Sequence, residues 1–130
     1  MKNQVEEWLD FASIDLRSAK KLLEDETLTQ SAAFHLHQTV EKAFKATIEY
    51  SNKKIPKIHD LEKLMEIINE NGIKFKTNTD PILKINNIYI EARYPGDQGL
   101  LPNGTPSVKF VEEMYEFTEQ ILNEIKNILK

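Results

Sequence analysis

At 130 residues, with 40% hydrophobic and 29% charged side chains, the chain is sized for a single domain over 1–130 with a real core and no room for a second. Its 21 acidic residues outnumber 17 basic ones, and the formal charge of −4 excludes a broad, sequence-blind grip on nucleic-acid backbone while leaving room for a small basic pocket. The absence of cysteine excludes disulfides, thiol nucleophiles and thiolate metal sites.

The first helix is predicted from about Asn3 to Asp25, where Val5, Trp8, Leu9, Ala12, Leu16, Ala19 and Leu23 recur at three- and four-residue spacing. The same opening stretch, MKNQVEEWLDF, is acidic and amphipathic and lacks the apolar centre of a signal peptide. No apolar run approaches a membrane span, so the expectation is a soluble, cytoplasmic protein. The second helix begins near Thr27 or Thr29 and ends near Tyr50, with Ala33, Leu36, Val40, Ala43, Phe44 and Thr47 as its stripe. SerAsnLysLysIlePro then breaks the pattern, because Pro56 disfavours helix at the residue before it.

A third, shorter helix opens at His59–Asp60 and closes at Asn71–Gly72, where glycine suits a left-handed cap. Leu61, Leu64, Met65 and Ile68 form its apolar face. Thr79-Asp80-Pro81 starts the fourth, a capping side chain followed by proline in the first turn. That helix carries Ile82, Ile85, Ile88, Tyr89 and Ala92 on one side and must stop at Tyr94-Pro95. The loop from Pro95 to Pro106 is long for a compact bundle, and its length marks it as a place for function. A fifth helix, Ser107 to Lys130, has a stripe of Val111, Met114, Tyr115, Thr118, Leu122, Ile125 and Leu129, widened by Phe110, Phe117, Ile121 and Ile128. No segment alternates with a period of two. The predicted fold is all-α: an antiparallel up-and-down bundle of four longer helices plus one short helix.

In such a bundle the informative residues are polar ones beside an apolar stripe. Helical projection puts Asp15 on the flank of the first stripe, where a carboxylate needs a cation or several donors. Arg93, projecting beside Ile82, Asn86 and Tyr89 at the end of the fourth helix, is the expected partner; the plainer reading is an ordinary salt bridge between helices. On the second helix, His37 and Glu41 lie four apart at the stripe edge and can hydrogen-bond along the helix, a minimal acid–base pair. His35, Gln38, Lys42 and Lys45 face further out, and the plainer reading makes His37 a satisfied border residue and the lysines a solvated face. His59 is read as a cap of the third helix, with Asp60 in its first turn. No HExxH, GxxxxGK[ST] or GxGxxG occurs, so no metal and no cofactor are expected.

Four stretches in this order resemble one family: TrpLeuAspPheAlaSerIleAspLeuArgSerAlaLysLysLeuLeu, AlaPheHisLeuHisGlnThrValGluLysAlaPheLysAla, HisAspLeu and AlaArgTyrPro. Together they are similar to the HEPN family (higher eukaryotes and prokaryotes nucleotide-binding domain), from Trp8 to the final helix. The resemblance implies a small helical bundle, usually homodimeric, with a groove at or near the dimer interface. It also implies frequent pairing with a minimal nucleotidyltransferase in toxin–antitoxin-like modules. Many members are metal-independent ribonucleases carrying an arginine followed four to six residues later by histidine. Arg93 matches the arginine, but positions 98 to 100 are Gln98, Gly99 and Leu100, and no histidine follows His59. The motif is degenerate, and the usual proton-transfer group is missing from its place.

The leading expectation is therefore a non-catalytic binding module. Arg93, Tyr94, Lys42, His37, His35 and Glu41 line a dimer groove for a nucleotide or other phosphate-bearing ligand, or for a nucleotidyltransferase partner, with Asp15, Tyr89 and His59 in support. The alternative is a metal-independent endoribonuclease acting on RNA in the same groove, with Arg93 stabilising phosphorane-like charge and an upstream histidine such as His37 as base. A third reading leaves only a structural homodimer built on Ile14 and the wide fifth-helix stripe.

Overall fold

A computed structural model describes residues 3–92 and 105–130. Five α-helices, and no strand, occur among the described residues: α1 Gln4–Leu22, α2 Thr29–Tyr50, α3 Leu61–Glu70, α4 Pro81–Ala92 and α5 Val108–Ile128, with a 3₁₀ turn at Glu26–Leu28 between the first two. The all-helical bundle expected from periodicity is what forms. The stop of α4 expected at Tyr94-Pro95 and most of the Pro95–Pro106 loop lie outside the described residues.

Local chemistry sets the ends. Asn3 caps α1 by accepting from the Glu6 amide at 2.8 Å, with Glu6 and Glu7 in the first turn and Lys20 and Lys21 in the last, each suited to the helix dipole. The helix ends at Leu22 rather than at Asp25 because Asp25 has other work. Its carboxylate accepts from the Thr27 amide (2.9 Å) and the Thr27 hydroxyl (2.7 Å), which starts the 3₁₀ turn instead. Those bonds hold the Asp25 carboxyl below its ordinary pKa. At α3 the cap is Asp60, not His59: Asp60 Oδ1 accepts from the amides of Glu62 (3.0 Å) and Lys63 (3.3 Å). Gly72 closes that helix at φ +90°, the left-handed conformation glycine adopts without steric cost. Ser107 caps α5 through the Phe110 amide at 3.1 Å.

The second helix is the central one. Buried residues occur round most of its circumference, from Thr29 and Ala32 to Thr47 and Ile48, and it packs against α1, α3, α4 and α5. The tightest packing is with α1, where Ala12 and Ala19 are wholly buried alongside Leu36, Val40 and Ala43. Small side chains there bring the two backbones close. The rest of the core comes from Leu61, Leu64 and Ile68 of α3, Ile82, Ile85 and Ile88 of α4, and Val111, Ile121, Leu122 and Ile125 of α5.

Two polar ties lock the short elements onto this frame. Asn86 of α4 is buried; its Oδ1 accepts from the Leu61 amide at 3.0 Å and its Nδ2 donates to the Asp60 carboxylate at 3.1 Å, fixing the start of α3. Glu124 of α5 accepts from the Lys76 amide (2.6 Å), the Thr77 amide (2.9 Å) and the Thr77 hydroxyl (2.6 Å), pinning the α3–α4 link. Burial pushes the Glu124 carboxyl up, but these donors outweigh it and leave its pKa below the usual value. Replacing Asn86 strands a buried backbone amide and a carboxylate contact at once. Asn86→Ala is expected to cost about 2 kcal/mol in urea unfolding at pH 7; a loss too small to measure would show that this tie contributes nothing.

Candidate functional site

The seam between α1 and α2 holds most of the polar residues that periodicity picks out. The two helices run antiparallel, so Asp15 of α1 meets both His35 and Lys42 of α2, while Phe11 and Trp8 meet positions 42 and 45. Asp15 is 7% exposed and is fully matched: Oδ1 lies 2.8 Å from His35 Nδ1 and Oδ2 accepts from Lys42 Nζ at 2.6 Å. The prediction that Asp15 needs a cation holds among the described residues, and the cation is Lys42, aided by His35. Arg93, the expected partner, and Tyr94 lie outside the described residues.

One turn along α2 the arrangement repeats. Glu41 is 4% exposed and accepts from Lys45 Nζ at 2.8 Å, and His59 Nδ1 stands 3.1 Å from both of its oxygens. Lys45 does not face outward as projected from the stripe: it is buried, 8% exposed, because a withdrawn Glu41 needs a counter-charge and α2 supplies one four residues on. Each lysine also rests over an aromatic ring of α1, Lys42 over Phe11 and Lys45 over Trp8, both 5.9 Å from the ring centroid. The motif is thus a lysine, a carboxylate and a histidine, twice. In both copies histidine turns Nδ1 to the carboxylate, which leaves Nε2 on the far side of the ring. His35 and Lys42 are half-buried, and His59 is the most open, with 56% of its side chain exposed.

His37 behaves differently from the expectation of a hydrogen-bonded pair with Glu41. Its Nδ1 is 3.7 Å from Glu41 Oε1, beyond a hydrogen bond, because Glu41 is turned toward Lys45 and His59. The imidazole is completely buried, and neither ring nitrogen has a hydrogen-bond partner among the described residues. Instead it stacks on Tyr89 of α4, centroids 4.0 Å apart and planes 13° from parallel. Burial drives its pKa down from 6.5 to about 4; Glu41, the His59 backbone and the Asn86 amide pull weakly the other way. His37 is neutral at pH 7 and belongs to the wall of the site rather than to its open face.

The aromatic part of the apolar rim, Phe11 and Phe34, is not legible in the sequence, whereas Ile14 is. Phe34 is 41% exposed, Phe11 53% and Ile14 49%, so the polar strip runs between apolar edges. Phe34 stacks against Tyr89 (5.9 Å, 25°) and meets His35 edge-on (5.7 Å, 78°). Tyr89 also lies 5.9 Å from the His59 ring. The one sequence signal for Phe34 is that it falls outside the stripe of its own helix. Open cavities flank the strip: one of about 230 Å³ lined by Gln4, Glu7, Trp8, Phe11 and Ile55, another of about 340 Å³ lined by Thr27, Gln30, Ser31, Phe34 and His35. No group of three or more His, Asp or Glu among the described residues converges as a metal would require. No described helix is long and apolar enough to cross a membrane.

The model of the HEPN domain matches residues 5–128 of this sequence. The chain belongs to the HEPN domain family. Among solved structures it is similar to TT1696 from Thermus thermophilus, with a TM-score of 0.75 and 20% identity over 97% of this chain and 98% of that one. It is likewise similar to ST0689, an archaeal HEPN homologue, with a TM-score of 0.69 and 20% identity over the whole of both chains. At that identity the likeness is one of fold. No curated protein matches the sequence. In this HEPN chain the two lysine–carboxylate–histidine sets draw His35, Glu41, Lys42 and Lys45 from α2, Asp15 from α1 and His59 from just ahead of α3.

The buried, neutral His37 gives this HEPN domain a pH signature. The unfolded chain takes up a proton near pH 6.5 while the folded chain resists until about pH 4, so stability falls as pH drops through that window and levels off below it. Between pH 7 and pH 5 the expected loss is about 2 kcal/mol. His37→Phe keeps a ring against Tyr89 and should flatten that part of the urea-derived stability profile. An unchanged slope in the variant would sink the assignment.

Proposed function

We propose that this HEPN protein is a non-catalytic binding module whose α1–α2 groove takes a phosphate-bearing ligand of the nucleotide class. The observation that carries the reading is the pair of lysines, Lys42 and Lys45, each fixed by a withdrawn carboxylate and accompanied by a histidine. Fixing matters because a free surface lysine loses side-chain entropy on gripping an anion, whereas a clamped one has lost most of it already. A lysine ammonium carries three donors, so Lys42 retains some beyond the one it gives Asp15. The carboxylates also prevent net positive charge from accumulating, so the groove selects an anion by aimed donors rather than by bulk attraction, in keeping with a chain of formal charge −4.

Homodimerisation and docking of a minimal nucleotidyltransferase in a toxin–antitoxin-like pair belong to the same proposal. The exposed Phe11 and Ile14 beside the groove support a protein-facing rim. Arg93 and Tyr94, from the degenerate motif, are proposed to complete the ligand contacts. The second reading, a metal-independent endoribonuclease, is favoured by one feature: His35 and His59 each have a carboxylate on Nδ1, the orientation a general base uses to present Nε2.

Titration calorimetry with AMP and inorganic phosphate, together with RNA incubation in EDTA, separates the readings. Lys42→Ala is expected to weaken AMP about tenfold, the value of a charge-assisted contact, with no RNA cleaved by the parent protein. Cleavage that is lost in His59→Ala or His35→Ala would replace binding by catalysis. Absence of any binding would end the leading reading.

A further inference from the structure

Three near-parallel rings run outward from the core: His37 on Tyr89 (4.0 Å, 13°), then Tyr89 against Phe34 (5.9 Å, 25°). The inner end is wholly buried, while the outer ring, Phe34, is 41% exposed and forms part of the wall of the cavity of about 340 Å³. We infer that this cavity is a subsite for a planar heteroaromatic ring, the base of a nucleoside monophosphate, which stacks on Phe34 while its phosphate reaches Lys42 and His35.

Position and preorganisation support the assignment. Phe34 is stacked on Tyr89 and meets His35 in a T-shaped contact, so a ligand ring meets a surface whose rotamer is already fixed. At the opposite cavity Phe11 and Trp8 each have a lysine ammonium over the ring, and a second planar group there would have to displace it. Among the described residues no such cation lies over Phe34. His35 belongs to both features: it is part of the cavity wall, and its Nδ1 shares the Asp15 carboxylate with Lys42. One side chain thus joins the cavity that exposes the Phe34 ring to the anion-binding pair. A ligand that satisfies both halves has an aromatic ring and a phosphate within one small molecule. Base-on-aromatic stacking tolerates any base and grows with ring area, so purines should exceed pyrimidines. Ser31 lines the same cavity.

The inference rests on the phosphate reading above, and the test separates the two. Affinities of AMP, UMP and ribose 5-phosphate are measured by calorimetry for the parent chain, Phe34→Ala, Phe34→Trp and Lys42→Ala, with thermal melts to confirm folding. The expectation is that AMP binds more tightly than UMP and both more tightly than ribose 5-phosphate. Phe34→Ala should weaken AMP about tenfold, leave ribose 5-phosphate unchanged, and be rescued by Phe34→Trp. If Phe34→Ala leaves AMP affinity intact, or weakens AMP and ribose 5-phosphate alike, the ring subsite is overturned even where Lys42→Ala still weakens both and the phosphate reading stands. AMP affinity that depends on Phe34 but not on Lys42 would keep the subsite and remove the phosphate reading. Failure of all three ligands to bind would overturn both. A short 5′-phosphorylated oligoadenylate distinguishes the source of the nucleotide: affinity equal to that of AMP identifies the free monophosphate, and tighter Phe34-dependent affinity identifies an RNA 5′ end, each with the subsite intact.

Discussion

A carboxylate withdrawn from water must be matched, and two of them on adjoining helices decide how this domain presents its polar surface. Asp15 and Glu41 are each nearly inaccessible, and an isolated charge in that position would cost several kcal/mol. Matching them conscripts Lys42, Lys45, His35 and His59, and so draws four side chains that would otherwise roam the surface into one strip. Any one partner removed leaves a buried charge short of its counterpart. The strip is therefore tied electrostatically as well as by packing, through α1, α2 and the residues just ahead of α3.

That economy also explains why His37 is not a functional group in the simple sense. Its neighbour Glu41 is occupied on both oxygens, which leaves the imidazole to act as an apolar plate against Tyr89. Neutral imidazole stacked on phenol is good packing, and it joins α4 to α2. Asn86, one turn before Tyr89, then grips the first residues of α3 and brings His59 to Glu41. The open histidine of the strip is placed by a buried asparagine on a different helix.

The helices are legible because their stripes are long and their breakers few: Gly72, Pro81 and Ser107 mark ends that form where the spacing puts them. Asp15 can be singled out for the same reason, since 100° steps place it against a stripe that tolerates no unmatched charge. The identity of its partner cannot. Periodicity reports which way a residue faces on its own helix but not which helix faces it, so it assigns Lys42 to solvent when the antiparallel register of α1 and α2 carries that lysine to Asp15. Lys45 escapes it through the same blindness, as the depth of Glu41 depends on α3 and α4 as well as on α2. Phe34 is invisible because an exposed aromatic beside a histidine has no periodic signature; only the Tyr89 ring beneath it gives it meaning.

The Glu124 clamp has a consequence for how the molecule breathes. The amides of Lys76 and Thr77 lie in a connection between helices, where backbone hydrogens normally trade with solvent through small local excursions. Here both are held by a side chain rooted in α5, so neither can be released without freeing that carboxylate. The α3–α4 link is thereby moored to α5 at two successive amides, and an excursion that exposes either one must first detach the Glu124 side chain.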